Sequence, residues 1–315
     1  MLEVKFPNYL KNDFETYQFI VKHLYLMNLS NLFESPIREE INLDFKKLNF
    51  VEGNLCATIA MFVDELLGSG EVTYSNLSPI IENFFRRNEF CRKLSIEPLF
   101  NYINTTMRFK EFSDNSNDEE IGRYIYNEFL NNEGINIKDK TIKEKIQESV
   151  FELFENAKFH GESEKIYTCG QFFPRNKKIL FSIADIGYTI PKNVKKKKNF
   201  STESDCIEWA LGYGNSTKDL KNGIPGGAGL FLLEKFIELT KGRLQIISGK
   251  GFFEKDYNNE EYKILKKDLE YQFPGTVINL EFNISHGEKL VIATENEEFA
   301  DILERLIKED TSYGN

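Results

Sequence analysis

The apolar positions of the chain recur at two different periods, and the switches between them predict the elements. Residues 38–45 (REEINLDF) alternate as a strand does. Leu55, Ile59, Phe62, Val63 and Leu66 recur at helical spacing over 55–67, before a stop at Gly68-Ser69-Gly70. A second strand at 71–75 and a helix at about 78–90 follow, so the first hundred residues read as a β-α-β-α layer with parallel strands and helices packed on them. Residues 101–140 are richer in Asn, Asp and Glu, and FSDNSNDEE at 112–120 reads as an exposed loop before a helical stretch near 121–131. From 141 the pattern predicts a long helix, strands near 166–173 and 178–185, a short helix near 205–212 and a glycine-rich loop. A helix at 229–240 and strands near 243–248 and 275–283 complete it. Segment 252–273 is charged and aromatic without a clear period. Residues 296–308 (NEEFADILERLIK) carry the pattern of an amphipathic helix that caps the core or meets a partner.

Composition narrows the class. With 315 residues, 41% of them hydrophobic and 29% charged, the chain has the length of two domains and the make-up of a globular protein, which excludes collagen-like, mucin-like and wholly disordered chains. The formal net charge of −10 repels nucleic acid and anionic membranes, so an anionic ligand needs a local site. The four cysteines form no C-x-x-C pair and there are three histidines, which argues against zinc and for a reducing compartment. The first residues, MLEVKFPNYLKNDFETY, carry charges throughout, and no stretch approaches the ~20 apolar residues that cross a bilayer. The expectation is a cytoplasmic protein.

Three segments carry candidate chemistry. On the helix from Thr141 to His160, residues Ile142, Ile146, Val150, Leu153, Phe154 and Ala157 fall in one arc of about 120°, the buried face. Glu152 and Asn156 stack on one flank of that arc as an i, i+4 pair, whereas Glu155 points away with Glu144 and Glu148. The Asn156 amide oxygen is a hard, neutral ligand suited to Mg²⁺, and Glu152 can orient or deprotonate a water. Read alone, the pair equally well describes a solvated Glu and an Asn that satisfies nearby backbone.

The second segment, Ile179 to Gly187, is an apolar strand ending in Asp185-Ile186-Gly187. A carboxylate at a strand end has little positional freedom and can accept a hydrogen bond from an exocyclic amine such as that of adenine. Gly187 would let a base lie close to the backbone. A strand followed by Asp-x-Gly is also an ordinary turn. In the third segment, Gly212-Tyr213-Gly214-Asn215-Ser216-Thr217-Lys218 precedes Gly223-Ile224-Pro225-Gly226-Gly227-Ala228-Gly229-Leu230 and a helix. Consecutive backbone N–H groups and a helix start seat a polyphosphate, with Ser216, Thr217 and Lys218 as further donors. The order of residues is neither a Walker P-loop nor a dinucleotide fingerprint, and a plain flexible loop is the competing reading.

Together these segments resemble the ATP-binding domain of the GHKL superfamily, the Bergerat-fold ATPases of gyrases, heat-shock chaperones, histidine kinases and mismatch-repair proteins. Glu152-Leu153-Phe154-Glu155-Asn156-Ala157-Lys158-Phe159-His160-Gly161 is similar to the Asn box as written in anti-sigma-factor kinases and histidine kinases. Asp185-Ile186-Gly187 is similar to the first glycine box, Gly226-Gly227-Ala228-Gly229-Leu230 to the second, and Gly275-Thr276 to the pair before the last strand. The resemblance covers about 140–285. It implies ATP and Mg²⁺ as cofactors, with Asn156 on the metal, Asp185 on the adenine amine, Gly187 under the base and Thr276 beneath the adenine. Gly227 and Gly229, with Leu230 beside them, would meet the phosphates, and Glu152 stands where the family keeps its general base. The chain departs from the pattern at Gly187-Tyr188-Thr189, where many members have Gly-x-Gly. Lysines at 192 and 195–198 follow, a cationic run that reads as a solvated loop or as an attractor of polyphosphate or an acidic partner.

More faintly, Leu43 to Val51 resembles the strand and turn of a STAS domain, with Glu52-Gly53-Asn54 where such antagonists carry a phosphorylated Ser. The expected fold class is α/β, a C-terminal two-layer α/β sandwich of Bergerat type preceded by a small STAS-like β-α-β-α domain. The expected division is a STAS-like regulatory domain at 1–105, a connecting loop and helix at 106–140, the ATP-binding domain at 141–288 and a C-terminal helix or tail at 289–315. The resemblance implies an ATPase or protein kinase that hydrolyses ATP or phosphorylates a partner protein; a homodimer is a further association that the sequence leaves open. The alternative is an interaction module that ATP binding switches without significant catalysis.

Overall fold

The computed structural model describes residues 2–32, 39–99, 105–113, 115–132, 140–159, 161–212, 215, 228–259 and 261–283. The chain is a mixed α/β structure with one parallel and one antiparallel sheet of three or more strands. Strands β1 (Leu2–Lys5), β3 (Glu39–Asp44) and β5 (Gly70–Ser75) form the parallel sheet in the order β1-β3-β5. The short strands β2 (Tyr9–Leu10) and β4 (Phe50–Val51) pair beside it. Parallel neighbours need crossovers, and these are supplied by helices α1 (Phe14–Leu32) and α2 (Leu55–Ser69), with α3 (Pro79–Arg87) following β5.

The second sheet has five strands in the order β6-β7-β8-β10-β9, all pairs antiparallel. They are β6 (Thr106–Ser113), β7 (Lys165–Phe173), β8 (Lys178–Ile186), β9 (Arg243–Asp256) and β10 (Lys263–Asn283). Helix α4 (Asp118–Tyr124) runs into a π-helical turn at Ile125–Leu130, then come α5 (Lys140–Phe159), α6 (Ile190–Val194), α7 (Glu203–Leu211) and α8 (Ala228–Leu239). Side chains alternate across the strands. Phe181, Ile183, Ile246, Ile278 and Leu280 face a core shared with Val150, Leu153 and Phe154 of α5 and Leu233, Phe236 and Ile237 of α8. Cys169, Ala184, Ile247 and Val277 face the opposite way, into a core shared with Tyr17 of α1 and Ile59 and Phe62 of α2.

The antiparallel sheet is thus covered on both faces, and the core of the layer formed by the first hundred residues is continuous with the side chains on the sheet's second face. Helix α2 shows the consequence: every residue from Leu55 to Val63 is buried, because it lies between the two sheets. A helix apolar on one stripe has a solvated side, whereas one buried all round needs small residues such as Cys56, Ala57 and Ala60 on its second side. The sheet also begins earlier than the sequence division implies, since β6 lies in the 106–140 connection and pairs with β7.

A buried polar network fixes this docking. Asn54 Nδ2 donates to Ser182 Oγ at 2.8 Å and Ser182 donates to Asn279 Oδ1. Asn279 Nδ2 in turn donates to Tyr17 Oη and to Gln245 Oε1, both at 2.7 Å, and Gln245 donates to the Asn12 carbonyl at 3.0 Å. Asn279→Ala would leave several buried groups without partners, so it should lower unfolding stability in urea by about 3 kcal/mol. A change under about 0.5 kcal/mol would contradict this role.

Segment 252–273, which shows no period in sequence, is the outer part of a long β9–β10 hairpin. Register shifts between Asp268 and Phe273 and between Phe273 and Thr276 break the alternation, with Gly249 at φ +60° on the facing strand. Among the described residues no helix is long and apolar enough to cross a membrane. The four cysteines are buried and unpaired as disulfides. The expected helix at 296–308 and the tail at 289–315 lie outside the described residues.

Candidate functional site

The end of β8 and the end of α5 meet through backbone. The Tyr188 N–H donates to the Gly161 carbonyl at 2.7 Å, and the Gly161 N–H to the Asn156 carbonyl at 3.1 Å. A Cβ on Gly187 would sit 2.0 Å from the Gly161 carbonyl oxygen. Gly187 therefore permits the contact between strand end and helix end. It does not itself line the hollow described below, where the resemblance would have put it under a base.

This junction places the Asp185 and Asn156 side chains on one hollow of about 130 Å³. Leu153 and Ala157 of α5, Ile183 and Ile278 of the sheet and Leu230 of α8 form its apolar walls. Tyr188 and Trp209 add aromatic surface, and the amides of Asn193 and Asn215 add polar groups. Such a volume is on the scale of a cavity that takes one aromatic ring.

Asp185 is the most unusual group there. It is 5% exposed, and its Oδ1 is buried without a hydrogen-bond partner. Burial pushes its carboxyl up to about 8, a shift only partly offset by a hydrogen bond from the Thr276 backbone N–H. Thr276 is its register partner on β10 and also lines the hollow. The Thr276 and Ser248 hydroxyls lie 2.8 Å apart, and Ser248 Oγ accepts from the Ile190 N–H at 2.8 Å, tying the start of α6 to the floor of the site. A buried carboxyl oxygen with no partner is costly in a folded protein and points to a ligand donor.

Glu152 stands one turn before Asn156 on α5, half-buried, and is not on the wall of the hollow. Gly229 lies in the first turn of α8 beside Leu230. Ser216, Thr217, Lys218 and Gly227 lie outside the described residues, as does His160. Among the described residues no group of three or more His, Cys, Asp or Glu could hold a metal ion. A cation here would be held by an amide oxygen together with the ligand's own anionic groups, the way Mg²⁺ usually binds with phosphates. Asn156 supplies such an oxygen from the hollow's edge.

Sequence reasoning gave no role to Trp209, Asn193 or Asn215. Trp209 carried one usable signal, as the only tryptophan of the chain, set in the short helix just before the glycine-rich stretch. No protein-family model matches the chain, and no curated protein shows significant similarity to it.

Proposed function

We propose that the chain binds ATP with Mg²⁺, the adenine entering the hollow against Asp185, and that it hydrolyses the nucleotide or passes its phosphoryl group to a partner protein. The observation that carries this reading is the buried, unpartnered Asp185 Oδ1 in the same hollow as Asn156. An exocyclic amine donates to that oxygen and satisfies it, and the apolar walls take the faces of the ring. Magnesium on the phosphates would neutralise charge on the transferred group. Asn156 would turn its amide oxygen to that ion, and Glu152 would accept a proton from a water or a partner hydroxyl.

The first test is ligand binding. ATP with Mg²⁺ should raise the melting temperature and change the emission of Trp209, the sole tryptophan. No response to any adenine nucleotide contradicts the reading. Glu152→Ala should then keep nucleotide affinity within about twofold while phosphate release falls about a hundredfold. Equal rates in both proteins would remove Glu152 from the chemistry.

One observation favours a second reading, in which ATP switches partner binding without turnover: Glu152 is not on the wall of the hollow. Under it, the wild-type protein releases no phosphate over hours, yet its protease pattern or elution volume changes with ATP.

A further inference from the structure

Among the described residues lining the hollow none is Lys or Arg, and the whole chain carries a net charge of −10. Among these described residues a polyphosphate meets no cationic counterpart. Three lysines stand against two of its aromatic groups. Lys192 Nζ lies 3.9 Å and Lys196 Nζ 5.1 Å from the centre of the Tyr188 ring, and Lys198 Nζ lies 5.1 Å from that of Trp209. Both rings line the hollow. Lys196 also donates to Asn193 Oδ1 at 2.9 Å, and Asn193 lines the hollow too.

Like charges on neighbouring side chains spread apart in water unless something gathers them. Here the electron-rich ring faces do so, each ammonium within the ~6 Å at which a ring attracts a cation. Thr189 caps α6 by accepting from the Lys192 N–H, and Pro191 and Val194 are buried, so the backbone that carries these lysines is fixed against the core. Lys195 differs: its ammonium is paired with Glu203 Oε1 at 2.6 Å and is already neutralised.

We infer that Lys192, Lys196 and Lys198 are the seat of the ligand's phosphates, so that the hollow takes the base and the ammoniums anchored on its aromatic groups select a nucleoside polyphosphate over a nucleoside. This rests on the adenine reading above and adds to it the chain's own means of holding the anionic end. Lysine ammoniums donate to phosphate oxygens as point charges, and at exposed positions each contributes modestly, so the effect is read on the three together.

The test is calorimetric titration of the full chain with ATP and with adenosine, for the wild type and for the triple variant Lys192→Gln, Lys196→Gln and Lys198→Gln. The wild type should prefer ATP, and its ATP affinity should fall as KCl is raised. In the triple variant ATP should weaken about tenfold or more while adenosine changes less than about twofold, and the salt dependence should flatten. Lys195→Gln should leave the preference intact, and arginine at the three positions should restore it. The lysines are exposed, so melting temperatures report whether a variant is folded. Adenosine binding with an unchanged ATP preference in the triple variant would overturn the phosphate seat and leave the adenine reading standing. A wild-type chain that binds neither ligand would overturn both.

Discussion

Asp185→Asn should abolish adenine nucleotide binding, with at least a hundredfold loss of affinity, and should change how stability depends on pH. The amide oxygen must stay where the Thr276 N–H can reach it, which sends the amide NH₂ to the place of Oδ1. A donor then faces the donor of the adenine amine, and a buried mismatch of this kind is worth factors well beyond those of a missing methylene. The pH effect follows from the carboxyl's shift from 3.8 to about 8 on folding. Between those values the folded chain holds a proton that the unfolded chain has lost, so stability falls as pH rises. The loss begins above about 4, runs at about 1.4 kcal/mol per pH unit and is complete above about 8. Other carboxylates, Asp64 among them, are held low by their partners and act in the opposite direction, so the wild-type minus variant difference is the quantity to measure. Urea unfolding at several pH values should show the Asn variant gaining on the wild type from pH 5 to pH 8. A constant difference would contradict the buried carboxyl. Accepting an amine favours the ionised form, so wild-type affinity for ATP should rise with pH and level off above about 8, and the Asn variant should lack this profile.

Gly187→Ala should cost about 3 kcal/mol or more and weaken the ligand with it. The added carbon would lie 2.0 Å from the Gly161 carbonyl oxygen, backbone on backbone, with no flexible side chain to move aside. Relief requires the end of β8 to separate from the end of α5, and those two ends carry Asp185 and Asn156. The variant is therefore expected to lose melting temperature even without ligand, by more than the few degrees of an ordinary surface change. An unaltered melting temperature would mean that the junction is more compliant than its contacts indicate.

The sequence was most readable where one face of an element is buried. Ile146, Val150, Leu153, Phe154 and Ala157 announce the inner face of α5, and all are buried. The strand from Ile179 to Asp185 reads as a continuous apolar run because both of its faces are covered. Helix α1 went unread although Tyr17, Ile20, Val21, Leu24 and Met27 are buried at helical spacing; aromatic and β-branched residues favour strands and mask that period. The β9–β10 hairpin was lost for another reason: its outer strand is exposed on both sides and its register shifts interrupt the alternation. At the site, the Asp-x-Gly and Asn-box segments could be paired by type but not by place. That they share a hollow depends on the contact of Gly161 with Tyr188 and on the β8–β10 register, which opposes Asp185 to Thr276. Neither is a property of any one segment.

The most direct test is a crystal structure of the full chain with a non-hydrolysable ATP analogue and Mg²⁺. The exocyclic amine should lie within about 3.2 Å of the Asp185 carboxylate, with the ring between the walls of Leu153 and Ile278 and the phosphates leaving towards Tyr188 and Trp209. Density for the base anywhere else, with Asp185 still facing an empty hollow at saturating ligand, would contradict it.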